Sequence, residues 1–156
     1  MASPEAAALL KRFYALQEER VETYRLFDQG YAAYLQSAPN YNFPFYRQLV
    51  HNITQTFKKI SEEMIENKCK LVSEHNREDV AKYIDKIQEE EKKKLELTAK
   101  LQLAKQNAVD KKENAASYQA ESTELKQQIV DVVERINEHM EELKYEAEDL
   151  LSVASS

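Results

Sequence analysis

A single glycine, Gly30, stands in a chain of 156 residues. A phosphate-cradling loop needs several, so the glycine-rich nucleotide-binding loops are excluded. Prolines number three. Sheets joined by tight turns draw on both residues, and their scarcity points to long helices joined by few loops. Cys69 is the one cysteine, so no disulfide closes within the chain, which fits a reducing compartment. No apolar run approaches the ~18 residues of a membrane-spanning helix. The opening MASPEAAALLKRF meets its basic residues only after a short Ala/Leu stretch, the reverse of a secretory signal, and none is expected. Asn52-Ile53-Thr54 matches the glycosylation sequon but falls inside a predicted helix, where it is read as helix.

Charge is plentiful and unevenly placed. The formal net charge is −6. Residues 114–156 carry three basic and ten acidic groups, so the acidity belongs to the last segment. A duplex-binding domain shows a basic footprint, and this chain as a whole does not. Length allows one domain with a real core.

Apolar residues at steps of three and four mark four helices. Ser3-Pro4-Glu5 is a helix start, with a hydroxyl cap, proline in the first turn and an acid beside it. From there Ala6, Leu9/Leu10, Phe13, Leu16, Val21, Tyr24, Phe27, Tyr31 and Tyr34 form one stripe, with Gly30 read as a site of close helix approach or a slight bend. The second stripe runs Leu49/Val50, Ile53, Phe57, Ile60, Met64, Leu71, and the third Val80, Tyr83/Ile84, Ile87, Leu95, Thr98, Leu101, Ala108. The fourth runs Tyr118, Leu125, Ile129, Val132/Val133, Ile136, Met140, Leu143, Ala147, Leu150. The predicted helices span about 4–36, 44–73, 78–107 and 117–151. Pro44 starts the second, because Phe43 precedes a proline. Asn76 or Asp79 caps the third. Four one-sided helices shield one another most simply as an antiparallel four-helix bundle, so the expected fold is all-α, one helical domain over 1–156.

Catalytic constellations are missing. His51, His75 and His139 have no histidine three or four residues away. The positions three before them are Gln48, Val72 and Ile136, so the Glu-x-x-His pairs of a di-iron bundle are absent. No Cys/His set has zinc spacing. Cys69 and His75 lie on opposite sides of a predicted helix end, which disfavours a nucleophile pair. The run EEEKKK at 89–94 reads as a solvated face with pairs such as Glu89–Lys93 and Glu90–Lys94. The lysines of the third helix alternate with acids and lack aromatic neighbours for base stacking. The acidic stretch 137–151 reads as a solvated helix face, or as an attractor of a basic partner.

One stretch stands apart. PNYNFPFYRQLV, residues 39–50, gathers Tyr41, Phe43, Phe45 and Tyr46, with Tyr34 just upstream, where the first helix must stop. Such a loop can fold back to plug the end of a bundle, its prolines limiting its freedom beforehand and Phe43 and Tyr46 pairing as a staple. The rival reading is an exposed aromatic patch that docks a partner beside Arg47. The candidate protein-interaction residues are therefore Tyr34, Tyr41, Phe43, Phe45, Tyr46 and Arg47.

These residues also carry a resemblance. Leu16, Gln17, Glu19 and Arg20, then Gly30, Tyr34 and Leu35, then Tyr41, Asn42, Phe43, Pro44, Tyr46 and Arg47 resemble the signature of the required-for-excision 1-B domain proteins. Val50, Thr54 and Phe57 follow at the expected steps, and residues 95–104 and 143–150 resemble the remaining helices more loosely. The resemblance implies a small helical protein linked to excision repair of DNA, with no enzymatic activity assigned and no catalytic residue to carry over. The functional expectation is a non-enzymatic adaptor or accessory subunit, intracellular, in nucleus or cytoplasm, meeting protein partners through helix faces and the aromatic corner. No cofactor, metal, membrane or small-molecule substrate is expected, and direct nucleic-acid binding is disfavoured. The alternative is a structural coiled-coil-like component of a large cytoplasmic or cytoskeletal assembly.

Overall fold

The computed structural model describes residues 2–154, and every regular element among them is helical. The order is α1 (Pro4–Gln36), α2 (Phe43–His75), α3 (Glu78–Asp110), a single 3-10 turn (Lys112–Asn114), α4 (Ala115–Glu146) and α5 (Glu148–Ala154). The chain divides into two compact units: Lys86–Met140 forms one, and the remaining described residues form the other.

The larger unit is built on α1 and α2, which run antiparallel along each other. Tyr24 and Phe57 have ring centroids 4.7 Å apart, and Tyr31 lies 6.2 Å from Tyr46. Farther from their connection, the Arg12 guanidinium grips the Glu63 carboxylate with two hydrogen bonds. α1 begins as the sequence predicts: the Ser3 hydroxyl accepts the Ala6 N–H at 3.2 Å, and proline fills the first turn. Its buried stripe is Ala6, Leu10, Phe13, Leu16, Tyr24, Phe27, Tyr31 and Tyr34, and the rings and leucines contribute about 1.5–3 kcal/mol each. Val21, expected in that stripe, is 59% exposed. The helical period explains why: the step from Leu16 to Val21 is five, whereas Arg20 sits four from both Leu16 and Tyr24 and takes the buried position. Arg20 donates to the side-chain amide oxygen of Gln17 (3.0 Å) and to the Ser61 hydroxyl (3.2 Å). On α2 the buried set is Ile53, Phe57, Ile60, Met64 and Leu71, with Asn67 filling the apparent gap, while Leu49 and Val50 are half-buried.

Asn76 does not cap α3. It closes α2 in the left-handed region (φ 53°), a conformation asparagine tolerates better than most residues. The Asn76 N–H donates to the Val72 carbonyl (3.2 Å) and the Arg77 N–H to the Leu71 carbonyl (2.9 Å). α3 then starts on the Arg77 carbonyl, which accepts the N–H groups of Val80 and Ala81. Val80, Ala81 and Ile84 continue the core.

At the other end of the chain, the predicted single helix 117–151 breaks at Ala147. The cause is Arg77. Its guanidinium donates to Asp79, to Asp149 (2.7 and 3.2 Å) and to the main-chain carbonyl of Glu146 (3.2 Å). In an unbroken helix that carbonyl would serve Leu150, whose N–H supports the Asp149 carboxylate. α5 packs on α1, with Leu143, Ala147 and Leu150 fully buried.

The smaller unit is an antiparallel pair, residues 86–110 of α3 and 115–140 of α4. Leu125, Val132 and Ile136 are buried on α4; Ile87, Thr98, Gln102 and Ala104 are buried on α3. The predicted loop 107–117 shrinks to four residues around the 3-10 turn, because alanine-rich flanks continue both helices and the Lys111 N–H still reaches the Asn107 carbonyl (2.9 Å). The charge run at 89–94 is not wholly solvated. Glu90 and Glu91 are buried, and Glu90 accepts from Lys93 (3.1 Å) and Arg135 (3.0 Å). Burial opposes ionisation of Glu90, but the two cations hold its carboxyl below the ordinary range.

Candidate functional site: the aromatic corner

The turn between α1 and α2 is held by short polar contacts. The Ser37 hydroxyl donates to the Tyr34 carbonyl (2.5 Å) and accepts the Asn42 N–H (3.2 Å). The Asn42 side chain then caps α2 by accepting the Phe45 N–H at 3.2 Å. α2 starts at Phe43, one residue ahead of the predicted Pro44, with the proline in the first turn where its missing N–H costs nothing.

Tyr34 is the hub. It is 2% exposed, and its ring stacks on Tyr46 at 4.4 Å, lies 5.0 Å from Tyr41 and 6.3 Å from Phe43. Tyr31 joins the cluster at 6.2 Å from both Tyr34 and Tyr46. Its place three residues before Tyr34 in the stripe is the signal that marks it as a sixth ring of the corner. Phe43 meets Tyr41 at 6.1 Å; the close partner of Tyr46 is Tyr34, so the rings pair differently from a Phe43–Tyr46 staple. Burial pushes the Tyr46 phenol above its ordinary pKa.

The six residues singled out from the sequence thus divide. Tyr34 is core, Tyr41 and Tyr46 are half-buried, and Phe43, Phe45 and Arg47 are exposed. The two phenylalanines keep 54% and 41% of their surface open. Gly30 explains how the helices come so near below the rings: a Cβ there would lie 2.7 Å from both terminal methyls of Leu49.

Elsewhere the chemistry is sparse. A shallow cavity of about 330 Å³ beside the helix break is lined by Glu141, Lys144, Tyr145, Glu148, Leu151 and Ser152. Among the described residues no group of His, Cys, Asp and Glu is arranged to hold a metal ion. No described helix is long and apolar enough to cross a membrane. Cys69 is exposed.

Comparison with known proteins follows the same residues. The sequence model of the family described as DNA repair REX1-B matches residues 8–105, which take in most of α1, all of α2 and most of α3. The required for excision 1-B domain-containing protein of Mus musculus is 32% identical over 142 residues, 91% of this chain and 81% of that protein. Its counterpart in Bos taurus is 30% identical over 140 residues, 90% of this chain and 76% of that protein. No solved structure matches the chain. With residues 8–105 matching the family model and most of its length aligned to both relatives, this chain belongs to the DNA repair REX1-B family.

Proposed function

We propose that this protein is a non-enzymatic accessory protein of a DNA-repair assembly, working inside the cell in nucleus or cytoplasm by holding a protein partner against the α1–α2 corner. The supporting observation is the division of the corner's rings. Tyr34 and Tyr46 make a stacked platform, and Phe43 and Phe45 project from it with about half their surface in water. Aromatic side chains presented on a fixed base are the anchors that carry most binding energy at protein interfaces. The helix cap at Asn42 fixes the base, so little order has to be gained on binding. The reading involves no cofactor and no substrate turnover.

Proximity labelling in cells tests it. The wild-type chain is compared with a Phe43→Ala/Phe45→Ala variant whose helicity and melting are checked in parallel. A set of repair-associated neighbours that disappears with the two rings supports the proposal. An unchanged set from a folded variant overturns it.

A further inference from the structure

We infer that the outer face of α2 beside this corner takes an acidic helical segment of the partner protein. This deepens the reading above and rests on it.

The face is defined by what it omits. Acidic residues make up 28 of the 156 positions, yet none lies between Asp28 and Glu62. That interval holds the end of α1, the whole corner and the first half of α2. Its only ionisable side chains apart from tyrosines are Arg47, His51, Lys58 and Lys59, and all four are exposed. At 100° per residue, Phe43, Arg47, His51 and Lys58 fall within an arc of about 80° on one flank of α2, centred about 110° round the helix from Ile53, Phe57 and Ile60, with Phe43 at the edge nearer the core. Arg47 and Lys58 stand about 16 Å apart along the axis. No ion pair involves any of the four among the described residues.

Elsewhere seven cations are paired with acids. Arg12, Arg25, Lys68, Lys70, Arg77, Lys93 and Arg135 each have a carboxylate within 4.0 Å. The α2 face thus offers positive charge outward with no acid interleaved from Asp28 to Glu62, on a molecule of net charge −6, with an aromatic anchor at its end. A helix laid along it needs carboxylates spaced four and eleven residues apart to meet Arg47, His51 and Lys58, and an apolar residue beyond them to meet Phe43.

The test uses the full chain and two fluorescein-labelled 20-residue helical peptides. One carries Glu at those spacings and a terminal Leu; the other replaces each Glu by Gln. Fluorescence anisotropy should show the Glu peptide binding at least about tenfold tighter than the Gln peptide, with several-fold loss between 50 and 300 mM salt. Arg47→Glu/Lys58→Glu should reduce binding at least about tenfold, Arg47→Lys should change it less than about threefold, and the remote pair Lys112→Glu/Lys126→Glu should leave it unchanged. If circular dichroism shows the reversal variant misfolded, Arg47→Gln/Lys58→Gln replaces it with the same expectation. Equal binding of the two peptides, or indifference to the reversal, overturns the inference. So does a single-stranded oligothymidine that binds as tightly and displaces the peptide, which would make the face a nucleic-acid surface. Self-association that the reversal abolishes would assign the face to a second copy and equally overturn it. Cellular neighbours that depend on Phe43 and Phe45 while the Glu peptide fails would leave the corner as the docking site and remove only its acidic occupant.

Discussion

Truncating rings one at a time separates platform from anchor. Tyr34 is 2% exposed and touches the Tyr41, Phe43 and Tyr46 rings, so Tyr34→Ala removes a fully packed aromatic and leaves a hole that the neighbours fill only in part. The usual cost is about 3–5 kcal/mol. Phe43 is 54% exposed. An aromatic residue buries ~200 Å² when fully covered, so Phe43 covers on the order of 90 Å², or about 2 kcal/mol at 25 cal/mol per Å². Part of that remains with the alanine and part is already hidden in the unfolded chain, which brings the expected cost to about 1–1.5 kcal/mol, with no cavity term because the site opens to water. At roughly 3 °C per kcal/mol for a chain of this length, Tyr34→Ala should melt about 9–15 °C lower and Phe43→Ala about 3–5 °C lower. Circular dichroism at 222 nm during heating, with urea unfolding as a second measure, reads both. A Phe43→Ala variant that falls as far as Tyr34→Ala would refute the reasoning, since the ring would then be core and unavailable to a partner.

Three further outcomes are expected. Arg77→Met should destabilise by about 1–2 kcal/mol, discounted for the half-exposed Asp149. Hydrogen bonds from Arg77 depress the carboxyls of Asp79 and Asp149 below their ordinary 3.8, so their stabilising effect is present above about pH 4 and lost as acid titrates them. Urea midpoints from pH 6 down to pH 2.5 should therefore fall more gently for Arg77→Met than for the wild type. Gly30→Ala should come out within about 1 kcal/mol of neutral, because the half-buried Leu49 can rotate aside and alanine favours the helix, whereas Gly30→Val should cost about 1–3 kcal/mol. Asn76→Gly should hold or slightly raise the melting temperature while Asn76→Val lowers it, since only the valine resists a φ of 53°.

Periodicity carried most of the architecture. The stripes from Ala6 to Tyr34 and from Ile53 to Leu71 place nearly the whole α1–α2 core, because a helix that buries one side must repeat at 3.6. Polarity hid the exceptions: Arg20 and Asn67 occupy core positions that an apolar pattern skips, and the geometry of the neighbours at i±4 was the available clue. The break at Ala147 was not legible at all. Nothing local interrupts YEAEDLL; the side chain that meets the freed carbonyl is Arg77, distant in sequence. The corner was legible as an aromatic concentration, but composition does not say which rings face inward. That depends on the turn at Ser37 and Asn42, whose side-chain hydrogen bonds set the direction in which α2 departs.

The Arg77 clasp gives the tail of the chain an unusual dependency. One guanidinium, seated where α2 hands over to α3, holds both the Glu146 carbonyl and the Asp149 carboxylate at the start of α5, and α5 lies on α1. Were Arg77 drawn away, the Glu146 carbonyl could accept Leu150 as in an unbroken helix, while buried Leu143, Ala147 and Leu150 would still seat the last turns in the core. The far end of the chain thus leans on a side chain contributed from its middle, so a change at the α2–α3 junction is felt at the last helix.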